Sequence, residues 1–476
     1  MRARKGSARA AKRTDRLEQR ESFMSRSVSE QLAEFAIATE YGKLPNDVIS
    51  MTKHCFLDWL GSAVAGSGKR PTDIMAALAK ELGGNPEATL IPGGFRSRTN
   101  APLAALVNGA ATHVVEMDDL HMPSVFHPAA PIVPAALAVA EREGSSGEDL
   151  IAAMVVGYEV GIRLGEAAGP SHYRFWHTTA TCGTFAAAAA AGRLLGLSEE
   201  QLVWALGSAG TQAAGLFEFL ADGAMSKQLH AGKAAMDGML AALLAQKGFT
   251  GARRIVEGDK GFLRATAPEP RLERLGQGLG AGTYRISENS FKAHAACYHA
   301  HSSIDAALAI RSRHALRAEQ VNRVSARVTG VAMDLLGKVE AKTPYAAKFN
   351  LPFCIATALA YGSVGVEAFT EARLADPVLQ MLVARVRAAH DPALDAEYPD
   401  KWPAVLEVET MGGQRFEARV DHPKGDPRNP MTPKELVDKF HVLTREVLGD
   451  EKRSRLVELC LGLEQVPTMS TFFDEI

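Results

Sequence analysis

Chemistry-bearing residues concentrate in one stretch, NGAATHVVEMDDLHMPSVFHPAAP, from Asn108 to Pro131. Glu116, Asp118, Asp119, His121 and His127 fall there, closed by a His-Pro step. Carboxylates and imidazoles at the end of an apolar helix are costly to desolvate unless they pair or bind something. A second cluster, FKAHAACYHAHSSID, carries Lys292, His294, Cys297, His299 and His301. Two further segments add His177, in FWHTTATCG, and Lys227, His230 and Lys233, in DGAMSKQLHAGKAAMDG. Most of the 14 histidines therefore lie in a few short segments, which points to an enzyme site assembled from separate parts of the chain.

Lysines, histidines and a few carboxylates suit proton removal from a carbon next to a carboxylate. The set offers a base, an acid, and cations for the growing enolate charge. GxGxxG, P-loop and GxSxG motifs and an iron–sulfur Cys cluster are absent from the sequence, so no organic cofactor is required. The acidic segment lacks HExxH-type pairing, and its spacings match no standard ligand frame; acid/base work or substrate contact is preferred to metal. The Thr-rich helix start after His177 can present free N–H groups to a carboxylate. Lys227 and His230 share a helical face, as do His230 and Lys233. His299 and His301 face one way on a strand or loop. Cys297 has no local signature of a nucleophile, and a cationic substrate pocket is the preferred reading of its segment.

These residues need elements to position them. At 476 residues, two or three domains are expected. Hydrophobic content of 46% with 23% charged residues is that of a soluble globular protein, and a net charge of −2 gives no reason to expect nucleic acid or an anionic membrane. The apolar run Thr184–Gly192 is mostly alanine and too short to span a bilayer. The five cysteines are scattered without a CxxC, which suits reduced thiols in the cytoplasm. Residues 1–24 are basic and lack an apolar signal region, and are expected to be a disordered tail.

From residue 25 onward, apolar residues recur every three or four positions. Ser27 or Ser29 can cap the first helix, and Ser198 with Gln201 starts another. Abundant Ala and Gly imply close helix–helix approach. Past Thr266–Gly280 strand signals appear: VNRVSARVTG alternates, and AVLEVETMGGQRFEARV reads as a hairpin turning at Gly412-Gly413. TPKELVDKFHVLTREVLG and SRLVELCLGLEQ return to helix. The expectation is a mainly α protein. An all-helical domain of residues 25–268 and 430–476 would carry an inserted α/β lid domain of residues 269–429, with the substrate cleft between them.

Several motifs together resemble one family. They are LDWLGSAVAGS, NGAATHVVEMDD…HPAAPIVPAALAVAE, WHTTATCGTFAAAAAAGRLLGL, GTQAAGL, KQLHAGKAAMDGMLAALLAQKGFTG, EGDKGF, FKAHAACYHAHSSIDAA and AKFNLPF. In this order, from about residue 28 to about 470, the chain resembles the MmgE/PrpD family. That family includes 2-methylcitrate dehydratase, cis-aconitate decarboxylase and iminodisuccinate epimerase. The resemblance implies a homodimer, a site without cofactor between a helical domain and a lid, and small di- or tricarboxylate substrates.

Carried over by motif, the active-site histidines fall on His127 and His177, and the lysines on Lys227 and Lys292. The acidic run falls on Glu116, Asp118 and Asp119, and the His before the next helix on His301. In this reading the lysines hold carboxylates, His127 and His177 move protons, and the acids orient them, with His121, His230 and Cys297 as further substrate contacts. Three positions depart from the family pattern: Leu120 in place of Thr, Ala129 after the His-Pro step, and His294 in place of an aromatic. The expected activity is a lyase that dehydrates or decarboxylates a polycarboxylate. The alternatives are an epimerase using the same base, a metal-dependent hydrolase, and a binding-only relative.

Overall fold

The computed structural model describes residues 26–474 and 476; the basic segment of residues 1–24 lies outside them. Local signals act early. Ser27 caps the helix Val28–Ala38 in a reciprocal box with Glu30, and Ser198 does the same with Gln201 for Glu199–Gln212. The helices that frame the site are α1 (Asn46–Ala65), α2 (Ala101–Val114), α3 (Ala129–Glu143), α4 (Gly147–Tyr173), α5 (Thr178–Leu194) and α6 (Ser226–Gln246). Farther along come α7 (His301–Arg313), α8 (Leu351–Tyr361), α9 (Pro433–Thr444) and α10 (Asp450–Leu461).

Small residues let these helices approach backbone to backbone. A Cβ on Gly232 of α6 would stand 2.1 Å from the Leu106 carbonyl oxygen of α2, and one on Gly109 would stand 2.9 Å from the Gly232 Cα. Such a contact cannot be relieved by rotating a side chain. Gly232→Ala is therefore expected to destabilise the protein by about 1–3 kcal/mol through overpacking. Because α6 carries Lys227 and α2 leads into Glu116, turnover should fall as well. A denaturant midpoint within error of wild type would refute this account of the contact.

Residues 321–420 build the sheet. β1 (Ala88–Thr89) and β2 (Arg98–Thr99) form only a two-residue ladder in the helical part. β3 (Val321–Val328), β4 (Val386–His390), β5 (Ala404–Thr410) and β6 (Arg415–Val420) lie in the order β4-β3-β5-β6. β3 pairs parallel with β4 and antiparallel with β5, and the β5–β6 hairpin turns with Gly413 at φ 79°. β4 carries no alternation in the sequence and continues directly from the helix Pro377–Arg385. Helices α7 and α8 share a core with this sheet, through Ile304, Ala307, Ile355 and Leu359 against Val324, Leu406 and Val408. The fold is mainly α with a small α/β part.

The last helices return to the helical body. Leu436 and Phe440 of α9 and Leu456 and Cys460 of α10 are buried with Leu57, Trp59 and Leu60 of α1. Leu275, Ile286 and Phe291 also lie in helical cores. Ahead of the sheet, the helical cores thus include residues as far along as Phe291. No helix among the described residues is long and apolar enough to cross a membrane.

Candidate active site

Helix α2 ends at Val114, and the chain then turns sharply. Glu116 has φ 57°, in the left-handed region that non-glycine residues rarely adopt. Two buried lysines hold this turn. Lys348 donates to the Val115 carbonyl at 2.7 Å, and Lys439 of α9 donates to the Met117 carbonyl at 2.7 Å. Lys439 also pairs with Asp58 of α1 at 2.5 Å. Strain of about 1–3 kcal/mol at one residue persists when its surroundings over-determine it, as they do here. Val125, at φ 48°, marks the other end of the loop, just before His127.

The strained turn aims the Glu116 carboxylate into the helical body. Lys227 of α6 and Lys292 both donate to it, Lys292 at 2.9 Å, and the Tyr345 hydroxyl lies 3.2 Å away. Lys292 reaches it because Leu120 and Ser290 form a backbone bridge, N–H to carbonyl in both directions at 2.9 and 2.7 Å. Burial pushes the Glu116 carboxyl up, but Lys227 and Lys292 outweigh it and hold it well below the usual carboxylate range. Lys227 also lies 4.9 Å from the centre of the Phe349 ring. Lys227 and Lys292 carry two positive charges against the two negative charges of Glu116 and Asp118. Each ammonium has three donors, so both keep hydrogens for another acceptor.

Beside this quartet stand four imidazoles. Asp118 accepts from His113 at 2.7 Å and lies 3.5 Å from His127. Burial would raise the Asp118 carboxyl, but His113, His127 and Lys292 hold it well below its ordinary value. His127 Nδ1 donates to the Asp119 carbonyl at 2.7 Å, which leaves the Nε2 lone pair as its free ring position. The His127 N–H donates to the Thr179 hydroxyl at 3.2 Å. His177 heads α5 without capping it by its side chain; its ring meets His230, Nδ1 to Nδ1 at 3.3 Å. Burial, followed by Lys292 for His127 and by His230 for His177, depresses both rings well below the ordinary imidazole value. Both rest neutral, as a proton acceptor must.

Asp119 does a different job. Its carboxylate accepts from Tyr158 at 2.6 Å, Asn289 at 2.7 Å and the Ala129 N–H at 2.9 Å. Burial pushes it up to about 7. With its oxygens engaged, Asp119 fastens the start of α3 and the His-Pro step rather than meeting a substrate.

The structure brings Glu116, Asp118, His127, His177, Lys227 and Lys292 together, with His230 at one edge and Cys297 facing Lys227 and Glu116. Burial raises the Cys297 thiol, which disfavours the nucleophilic thiolate. Two expected contacts have other hydrogen-bond partners, although His301 stays within reach of the Lys292 charge. His121 bonds Ser124 at 2.8 Å and faces Glu288 at 3.7 Å, because the loop turns its buried ring toward Glu288 after the Ser290 bridge. His301 bonds back to the Ala296 carbonyl at 3.2 Å, since a short turn precedes α7. That same turn separates the His299/His301 pair: His299 stacks on Trp402 at 4.0 Å. His294 pairs with Asp305 at 2.7 Å, and Lys233 with Asp237 on the partly exposed side of α6. Leu120 packs with Met122, Val125, Tyr298 and Trp402, away from the lysines.

His113, Asp118 and His127 offer ligand atoms within 4.8 Å of one another. They make a poor metal set, because Lys292 stands 3.9 Å from Asp118 and His127 Nδ1 is spent on a carbonyl. A cavity of about 700 Å³ opens between Phe219–Gly223 and residues 334–349, and Tyr345 and Phe349 separate it from Glu116 and Lys227.

Comparison with protein families matches the MmgE/PrpD N-terminal domain to residues 30–275 and the MmgE/PrpD C-terminal domain to residues 294–463. The chain belongs to the MmgE/PrpD family. Among its relatives, a cis-aconitate decarboxylase-like protein of Aspergillus oryzae is 28% identical over 92% of this chain and 95% of its own length. The cis-aconitate decarboxylase of Aspergillus terreus is 26% identical over 94% and 95%, and that of Homo sapiens 27% over 94% of each. The MmgE/PrpD C-terminal match runs through α9 and α10, whose apolar faces nevertheless pack on α1.

Several residues of this MmgE/PrpD site escaped the sequence reading. His113 sits inside an apolar helical run, where a lone histidine reads as core. Tyr345 lies 229 residues from the Glu116 carboxylate it meets, and Lys348 lies 233 from the Val115 carbonyl; of the two, only Lys348 falls in a family motif, AKFNLPF.

Proposed function

We propose that the protein removes carbon dioxide or water from a small tricarboxylate without a cofactor, by proton transfer at a carbon next to a carboxylate. The chain is a lyase of the MmgE/PrpD type. The observation that carries the reading is the convergence of Lys227 and Lys292 on one buried carboxylate beside the neutral ring of His127. The free ammonium donors would take substrate carboxylates, and the charge that develops on carbon would spread into a carboxylate held by them. His127 Nε2 would take or return the proton. The cis-aconitate decarboxylase relatives support a tricarboxylate. A homodimer follows from the family resemblance, and the five unpaired thiols suit a reducing, cytoplasmic setting.

The test is proton NMR of the purified protein in deuterium oxide with citrate-, aconitate-, malate- and aspartate-like acids. A tricarboxylate should lose carbon dioxide or water, with solvent deuterium entering next to a carboxylate in the decarboxylation. Exchange without a new product would replace the lyase by an epimerase. Folded protein that neither exchanges nor converts any of these acids would overturn the reading.

A further inference from the structure

The proposed reaction needs somewhere to keep a proton. When carbon dioxide leaves, the bonding pair stays on carbon and a proton must complete the product. When water leaves, a proton comes off carbon and another goes to the departing hydroxide. His127 and His177 rest neutral and supply acceptors. A third ring is placed differently. His113, in the last turn of α2, is fully buried, with Nδ1 2.7 Å from Asp118, closer than the 3.5 Å between that carboxylate and His127. An ionised carboxylate only accepts, so Nδ1 carries the hydrogen and Nε2 is the atom left for chemistry.

That Nε2 is buried and has no hydrogen-bond partner among the described residues. A buried nitrogen left alone is costly and calls for an explanation. The ring lies between two imidazoles of the site, 4.9 Å from His127 and 5.4 Å from His177, centroid to centroid. The groups that face it are Asp118, Glu116, His127, His177 and His230. Asp118 is the one among them in direct hydrogen bond with the ring, and so the best counter-charge for an added proton.

We propose that His113 is a catalytic acid–base residue of this site, its Nε2 exchanging a proton with substrate while Asp118 carries the compensating charge. As a base, Nε2 takes a proton from carbon; the C–H electron pair moves into the neighbouring carboxylate as an enolate, and the ring becomes an imidazolium against Asp118. As an acid, the imidazolium gives its proton to the carbanion left by carbon dioxide, or to the leaving hydroxide. The ring ends neutral and is reloaded from water in the decarboxylation. This inference rests on the proposed function.

His113→Asn tests it. The Asn amide keeps a donor toward Asp118 and removes Nε2. The expected result is a kcat at least about 100-fold lower, with substrate Kd within threefold and the unfolding temperature within a few degrees. The kcat–pH profile should also lose one ionisation. Turnover within threefold of wild type would overturn the inference, and so would a joint collapse of kcat and binding, which marks a structural role. If the Asn variant does not fold, His113→Gln, which also lacks the ring, is read by the same outcomes. Wild-type protein inert to every acid would defeat the proposed function; active wild type matched by the variant would defeat this inference alone.

Discussion

Lys292→Met is expected to destabilise the protein by about 3–5 kcal/mol at neutral pH, because it leaves a buried charge without its partner. Lys292 is fully buried, 2.9 Å from Glu116 and 3.9 Å from Asp118. With it, two lysines balance two carboxylates; without it, one negative charge is left over in a site shielded from water. Methionine fills much the same volume, so the loss reports charge rather than a cavity. The Glu116 carboxyl lies well below its ordinary value in the folded protein, so its contribution is full above the unfolded carboxylate range of about 4.3 and fades as pH falls. The gap between wild type and variant should therefore be widest above about pH 5 and narrow on acidification. Denaturation curves at two pH values measure this. A gap under about 1 kcal/mol, or one that widens in acid, would contradict the charge balance drawn for this site. Turnover should fall with it, since a carboxylate anchor is removed.

His127→Asn should lower kcat by about 10²–10⁴-fold, the usual contribution of a general acid or base. Asn can still donate to the Asp119 carbonyl in place of Nδ1 but has nothing at Nε2. The variant should accordingly unfold within a few degrees of wild type. A pH dependence follows from the same surroundings. Burial and then Lys292 hold the imidazole well below 6.5, so the base stays neutral on mild acidification. Wild-type kcat/KM should persist below pH 6.5, and the His127 limb should appear only at lower pH. Activity in His127→Asn within tenfold of wild type would remove this ring from the chemistry.

Much of the fold was legible because its signals are local. Ser27 and Ser198 cap where their spacing to Glu30 and Gln201 says they should, and the Gly412-Gly413 turn joins β5 to β6. β4 was not legible. Its residues follow a helix without a break in pattern, and only the parallel partner β3 makes them a strand. In the site, crowding of acids and imidazoles located the right segments but not the members that meet. His121 and His301 share those segments with Glu116 and Lys292 but bond Ser124 and the Ala296 carbonyl instead, because one backbone bridge and one short turn set their directions.

The sequence by itself determined the helices, the hairpin, the small residues that let helices touch, and the inventory of charges. Tertiary structure decided which charges share a pocket and what state each holds. Lys227 and Lys292 meet Glu116 from 111 and 176 residues away. His127 is neutral and Asp118 ionised because of what is packed around them. A protonation state follows from burial and from neighbours in space, and neither is a property of spacing along a chain.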